Sequence, residues 1–201
     1  GQYALNSNLS GSNNTAIGVN ALCNNTTGCS NIALGQNSLK DNTTGNSNIA
    51  QGYYALCNNC TGNYNIALGH QALFENEAGA GNIGLGLYAG MKTTGGCNIA
   101  IGLQALRYNV DGNNNTALGG NAGALLSNGS TTVTSPDQST YLGACTRAGS
   151  ATPTNETVIG YLACGRGSNT TMIGNSSTTD TYICGNISAH GSLSASGAGA
   201  N

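Results

Sequence analysis

Charge is what this 201-residue chain most lacks. It has 5 Lys or Arg against 7 Asp or Glu, a net charge of −2 and 6% charged residues in all, where an ordinary soluble domain has about a quarter. With no basic footprint, it is not built to neutralise a nucleic-acid backbone, and with no acidic tract it does not invite a basic partner. No apolar run approaches the roughly 18 residues of a spanning helix, so no membrane insertion is expected. No secretory leader is recognisable either, but the first residues fall in mid-repeat, as expected of the ordered part of a longer chain. Low charge alone could signal disorder, but disordered chains combine high net charge with few β-branched residues. Here Ile, Leu, Val and Ala recur at fixed spacing. The chain has plenty of Gly, 32 residues, with much Asn, Ser and Thr, and 8 Cys. That many cysteines points to an oxidising compartment or to a cell or virion surface.

The spacing is a repeat of 17 residues with one unit of 16. Begun at its Asn, it reads NTAIGVNALCNNTTGCS from Asn14, NIALGQNSLKDNTTGNS from Asn31 and NIAQGYYALCNNCTGNY from Asn48. Further units begin at Asn65, Asn82, Asn98 and Asn115. Position 5 is Gly in all seven, and Gly1 is position 5 of the back half of an eighth. Seventeen residues cannot hold two useful helices, and Gly, Asn and Thr are poor helix formers. A strand suits positions 2 to 4, with residues 2 and 4 on one face and 3 on the other. Gly at position 5 turns the chain, Ala-Leu at positions 8 and 9 makes a second short strand, and the NTTG near positions 12 to 15 closes the loop. One such circuit per period is a coil of an all-β, parallel β-solenoid, each coil burying its core against the next. The Ile and Leu of positions 2, 4 and 9 are then the expected core, and Gln51 at position 4 needs a coil edge or a buried partner. Position 3 (Ala16, Ala33, Ala50, Ala67, Gly84, Ala100, Ala117) is expected to face outward, its alanines forming a self-association face. Stacking of chains end to end would also protect the open sheet edges.

The regular repeat covers residues 1–123. Residues 124–139 read as a Ser/Thr-rich insertion loop. Strand signals return over 140–187 as TYLG, TVIG, TMIG and TYICG in shrinking coils, and 188–201 read as a flexible tail or the start of a stalk. NTAIGVNAL, NTTG and NIALG resemble the head repeats of YadA-type trimeric autotransporter adhesins. They look more like related repeats in phage tail fibres and in surface glycoproteins of large algal viruses. The segment from Ser139 to Ile187 is similar to one that precedes a self-cleaving chaperone domain in many tail fibres. The resemblance implies a left-handed β-roll, usually trimeric, that serves adhesion or display.

Chemistry is thinly represented. GAGNIG (79–84) fits GxGxxG, but no βαβ context follows, and no cofactor is expected. His70 and His190 stand alone. Glu75 and Glu77 share one loop with no cleft to tune them. Cys57 and Cys60 form one CxxC without the second that a zinc site needs, so neither metal nor catalytic residues are expected. The cysteines instead suggest staples: Cys23 with Cys29, Cys57 with Cys60, and Cys145 with Cys164, leaving Cys97 and Cys184. Among the many N-x-S/T sequons, Asn42, Asn59, Asn25 and Asn114 are candidate glycosylation sites, since sugars would supply the solubility that charges normally give. Tyr3, Tyr54 and Tyr88 share position 7, with Tyr53, Tyr64 and Tyr108 nearby, and could stack on sugars. The expectation is a non-enzymatic structural and adhesive fibre protein, extracellular or on a virion, whose partner is itself as a trimer or filament. Its alternative is a tip that binds a host-surface glycan or receptor. Two remote alternatives are an ice-binding solenoid, whose Thr array Glu77-Ala78 and Val110-Asp111 interrupt, and a polysaccharide depolymerase, for which the seven acidic residues are too scattered.

Overall fold

The computed structural model describes residues 1–184, 186, 188 and 190. Each period contributes one three-residue strand: β1 (Thr15–Ile17), β2 (Ile32–Leu34), β3 (Ile49–Gln51), β4 (Ile66–Leu68), β5 (Ile83–Leu85), β6 (Ile99–Ile101), β7 (Thr116–Leu118), β8 (Thr140–Leu142), β9 (Thr157–Ile159) and β10 (Thr171–Ile173). All ten pair in parallel, in chain order, as a single sheet. Like positions stack: Ala33 lies on Ala16, and Ala50 on Ala33. The chain is an all-β parallel β-solenoid with no helix among the described residues. Nine steps of about 4.8 Å make the sheet roughly 43 Å tall. Gly at position 5 ends each strand with a positive φ, +139° at Gly18 and +136° at Gly52, falling to +86° at Gly174 after the last strand. A Cβ on Gly52 would also stand 2.5 Å from the Gly69 carbonyl oxygen of the next coil, so the turn needs glycine both for conformation and for space.

The strands face the opposite way to the expectation. Ala33, Ala50, Ala67, Ala100 and Ala117 are buried, and Ala16 in the first strand is half-buried. They cannot form an outward face. Ile and Leu of positions 2 and 4 point outward instead, and Gln51 is simply exposed. The reason is space. The interior belongs to the position-9 leucines Leu22, Leu39, Leu56, Leu73 and Leu106, all at most 1% exposed, and only a methyl fits across from them. Where the 16-residue coil carries Gly90 at position 9, Leu73 of the preceding coil leans into the gap. A Cβ on Gly84 or on Gly90 would lie 2.8 Å from Leu73 side-chain carbons. Where Gly123 takes position 9, the fully buried ring of Tyr141 fills the volume, 2.6 Å from where a Cβ on Gly123 would sit.

Positions 8 and 9 do not form a second strand. They lie in a turn, with the Ala55 N–H donating to the Gly52 carbonyl at 3.3 Å. The leucines themselves have positive φ, 51° at Leu22 and 52° at Leu56. A left-handed leucine costs about 1–2 kcal/mol; burying its side chain returns about 2–3 kcal/mol. Leu56 still donates its N–H across coils to the Ala72 carbonyl at 2.9 Å, so the corner remains in register.

Much of the core is polar. Each position-1 Asn donates its backbone N–H to the side-chain oxygen of the Asn one coil earlier: Asn31 to Asn14 and Asn48 to Asn31 at 2.9 Å, Asn65 to Asn48 at 3.0 Å. Its amide nitrogen crosses the coil to the position-15 glycine carbonyl, as Asn48 does to Gly62 at 2.8 Å. A second ladder runs through position 12, with Asn42 donating to Asn25 at 2.7 Å, Asn59 to Asn42 at 2.8 Å and Asn76 to Asn59 at 2.9 Å. The 16-residue coil breaks this ladder by placing Thr93 at position 12, where its buried hydroxyl has no hydrogen-bond partner. The Thr93 N–H still bonds Gly90 as position-12 residues do elsewhere. Thr93→Asn is therefore expected to extend the ladder from Asn76 and to raise stability by about 1 kcal/mol, read as a higher urea midpoint at unchanged slope.

The insertion is less of a loop than expected. Residues 127–131 project beyond an antiparallel bridge of Leu125 with Thr132. Val133 and Pro136 are buried, and the Pro136 carbonyl accepts from Asn115 Nδ2 at 2.6 Å, so the chain has rejoined the coil. One sheet thus spans 1–123 and the later coils, although 24 residues separate Thr116 from Thr140 and only 14 separate Thr157 from Thr171. In these coils Glu156 replaces the position-1 Asn. Its fully buried carboxylate accepts from the Tyr141 hydroxyl at 3.2 Å, Gly149 N at 3.1 Å and Gly167 N at 2.7 Å. Residues 181–184 of TYICG form no strand and are exposed. Of the expected tail, only residues 188 and 190 lie within the described part.

Candidate functional site: an uncovered apolar sheet face

Ten stacked three-residue strands present two outward columns. Position 2 runs Thr15, Ile32, Ile49, Ile66, Ile83, Ile99, Thr116, Thr140, Thr157, Thr171. Position 4 runs Ile17, Leu34, Gln51, Leu68, Leu85, Ile101, Leu118, Leu142, Ile159, Ile173. No member is charged. Ile17 is 63% exposed, Leu118 45% and Ile49 37%. Parallel sheets are almost always covered on both faces, and strands reading IAL or IAI are the near-continuous apolar runs of that class. Exposed contiguous apolar surface on a folded protein marks a contact site. The inner face is satisfied by leucine and the asparagine ladders, while the outer face has nothing upon it among the described residues.

The other sequence candidates fall elsewhere. Asn25, Asn42 and Asn59 are fully buried and give their amide nitrogens to the position-12 ladder. No sugar can be carried there without dismantling the core, so these three are withdrawn as glycosylation sites. Asn114 is exposed. All eight cysteines are free thiols. Cys57 is covered, at 2% exposure, while Cys60 is exposed, and the two are not joined. Cys145 and Cys164 are out of register by two residues, since Cys164 bridges Arg147. Cys29 points to the preceding coil, where Ser12 N and Oγ donate to its sulfur at 3.4 and 3.6 Å, and is not joined to Cys23.

Those surroundings divide the thiols. Hydrogen bonds from Ser12 hold the Cys29 thiol below its ordinary value, whereas burial, aided by the nearby Asp41 charge, pushes Cys57 up to about 11. The thiolate is the nucleophile. Iodoacetamide at pH 8 should therefore alkylate Cys29 faster than Cys57 by on the order of 100-fold, with the difference vanishing in urea. Peptide mapping over time checks this, and equal rates in the folded protein would refute the burial of Cys57.

Four of the tyrosines gather with other rings on the corner beside the sheet. Tyr53 lies 4.5 Å from Tyr54 and 5.2 Å from His70 between ring centroids, Tyr54 lies 5.9 Å from Phe74, and His70 lies 5.5 Å from Tyr88. Arg107 sits over the faces of Tyr88 and Tyr108 at 4.7 and 5.1 Å. Most of these pairs are edge-on, so the rings spend their faces on one another and on Arg107. Tyr64 stands at position 17, on another corner, and Tyr3 lies three coils from Tyr54 in the same column. Glu75 pairs with Lys92 at 3.7 Å, and among the described residues no three His, Cys, Asp or Glu side chains cluster to hold a metal. Among the described residues no helix is long and apolar enough to cross a membrane. The chain matches no protein-family model, no curated protein and no solved structure.

Proposed function

We propose that this chain is a structural, adhesive fibre protein that associates with copies of itself, as a trimer or a filament, through the outward Ile/Leu face of its sheet, in an extracellular or virion-surface setting. The uncovered face carries the reading. Two identical faces share one period of about 4.8 Å, so the ridges of one copy can seat between those of another along the whole sheet. The absence of charge in both columns removes the desolvation cost that a charged interface would meet. Small buried residues in the wall and hydrogen-bonded ladders between coils suit a rod under load. A receptor- or glycan-binding tip has less support, because the tyrosine rings pack on one another rather than presenting open faces. Sedimentation velocity on unreduced protein over a range of concentration, with electron microscopy of the same samples, tests the proposal. Trimers or filaments that grow with concentration are expected; a monomer at every concentration would overturn it.

A further inference from the structure

The corner residue of each coil and the strand residue two places on vary together. Position 17 is the exposed corner just before each strand, and its residue holds a left-handed conformation: φ is 58° at Asn13, 57° at Asn114, 55° at Asn155 and 59° at Asn169. In these four coils position 2 is Thr15, Thr116, Thr157 or Thr171, so each makes an N-x-T sequon. In the five coils whose position 2 is Ile, the corner is Ser30, Ser47, Tyr64, Gly81 or Cys97. Those residues meet the same corner conformation, so the backbone does not demand Asn. Asn occurs at the corner only where a Thr follows in the strand; Gln138 before Thr140 is the one coil with Thr and no Asn.

We propose that Asn13, Asn114 and Asn169, with Asn155 less readily, carry N-linked oligosaccharides. All four are exposed, and their threonines point outward. Among the described residues the side chains of Asn13 and Asn114 have no hydrogen-bond partner. Asn169 uses only its oxygen, accepting from Asn155 Nδ2 at 3.2 Å. Other sequons spend the nitrogen that would take the sugar: Asn24 on Asp41 at 2.8 Å, Asn128 on Thr131 at 2.8 Å, Asn175 on the Tyr161 carbonyl at 2.7 Å. In the transfer, the amide nitrogen bonds to the anomeric carbon of an oligosaccharide carried as a glycosyl pyrophosphate. The carbon–oxygen bond to phosphate breaks, the pyrophosphate leaves with the electron pair, and the amide gives up one proton. Sugars at these corners stand beside the sheet near its two ends and leave the five isoleucine coils between them bare, which zones the face proposed above for self-association. The inference rests on the extracellular reading, but it does not require association.

The test is the full chain expressed through a eukaryotic secretory pathway, its folded fraction isolated by gel filtration and digested with peptide N-glycosidase in heavy-oxygen water. Peptide mapping should place the label at Asn13, Asn114 and Asn169, and leave Asn25, Asn42 and Asn59 unlabelled. Thr116→Val, on an outward strand position where a β-branched residue is retained, should remove one glycan mass with no loss of folded yield. Secreted, folded protein bare at the three corners would overturn the proposal, as would label at the three ladder asparagines. Sedimentation of the same fraction reports association separately.

Discussion

Ile66→Lys is expected to abolish self-association and leave the coil folded, while Ala67→Lys, one residue on, unfolds it. Ile66 faces outward in β4 and Ala67 is fully buried in the same strand. A lysine at 66 in the isolated chain projects into water, so the melting curve should move by no more than the roughly 0.5 kcal/mol of an ordinary surface change. In an assembly that ammonium would be pressed between apolar columns stripped of water, and an unpaired buried charge costs several kcal/mol. Because every copy carries the change, association should weaken by at least about 100-fold, roughly 3 kcal/mol. The lysine at 67 meets the Leu73 side and the asparagine ladders with no room for its stem, and no neighbouring acid to pair it. Sedimentation and circular dichroism on the two variants separate the outcomes. If Ile66→Lys associates like the parent, the sheet face is not the contact.

The contrast between those neighbouring residues is also the measure of what the sequence could disclose. The 17-residue period, the strand at positions 2 to 4 and the turning glycine were legible because like residues recur where like backbone recurs. Which side of the strand faces in was not. Alternation offers two choices, and the larger side chains of positions 2 and 4 argued for the wrong one. The deciding fact lies outside the strand: Leu56 and its equivalents arrive from a left-handed corner and fill the interior, so only Ala50 and Ala67 fit opposite. A leucine in that conformation is improbable locally, and no local pattern announces it. The asparagines misled for a related reason. Asn42 and Asn59 belong to turn-like stretches, NTTG and NCTG, where Asn ordinarily faces water, yet stacking at one period converts each into a rung that only the neighbouring coils can complete. The staples failed likewise, since nearness in sequence does not join two sulfurs: Cys57 is covered and Cys60 exposed, and Cys29 is engaged by Ser12 of the preceding coil. The corner sequons could have been found once the repeat was aligned, because Asn114 and Thr116 sit at fixed positions, but not weighed until Asn59 was known to be buried.

Asn59→Ala should strongly destabilise the regular coils while leaving the backbone free of steric strain. The side chain donates to Asn42 Oδ1 at 2.8 Å and to the Gly62 carbonyl at 3.0 Å, and accepts from Asn76 Nδ2 at 2.9 Å. Gly62 keeps the bond from Asn48, and Asn76 keeps its bond to Gly79, but the Asn42 oxygen loses this donor inside the core. Three hydrogen bonds at about 1 kcal/mol each, with a buried acceptor left short, give a loss of about 3–4 kcal/mol. At roughly 2–4 °C per kcal/mol for a chain of this size, the melting temperature should fall by roughly 6–16 °C. Asn59→Asp sharpens the test, because it keeps the shape and the acceptor for Asn76 but sets oxygens against the Asn42 oxygen and the Gly62 carbonyl. Burial among acceptors without a cation raises the folded-state pKa of the introduced carboxyl above its ordinary value of about 3.9. The folded state then binds the proton more tightly than the unfolded one, so the variant gains stability as pH falls through that raised pKa and loses it as pH rises. A melting temperature that drops little for Asn59→Ala, or an aspartate variant indifferent to pH between 4 and 7, would mean that the ladder is an ornament of the stack and that leucine burial alone holds the coils together.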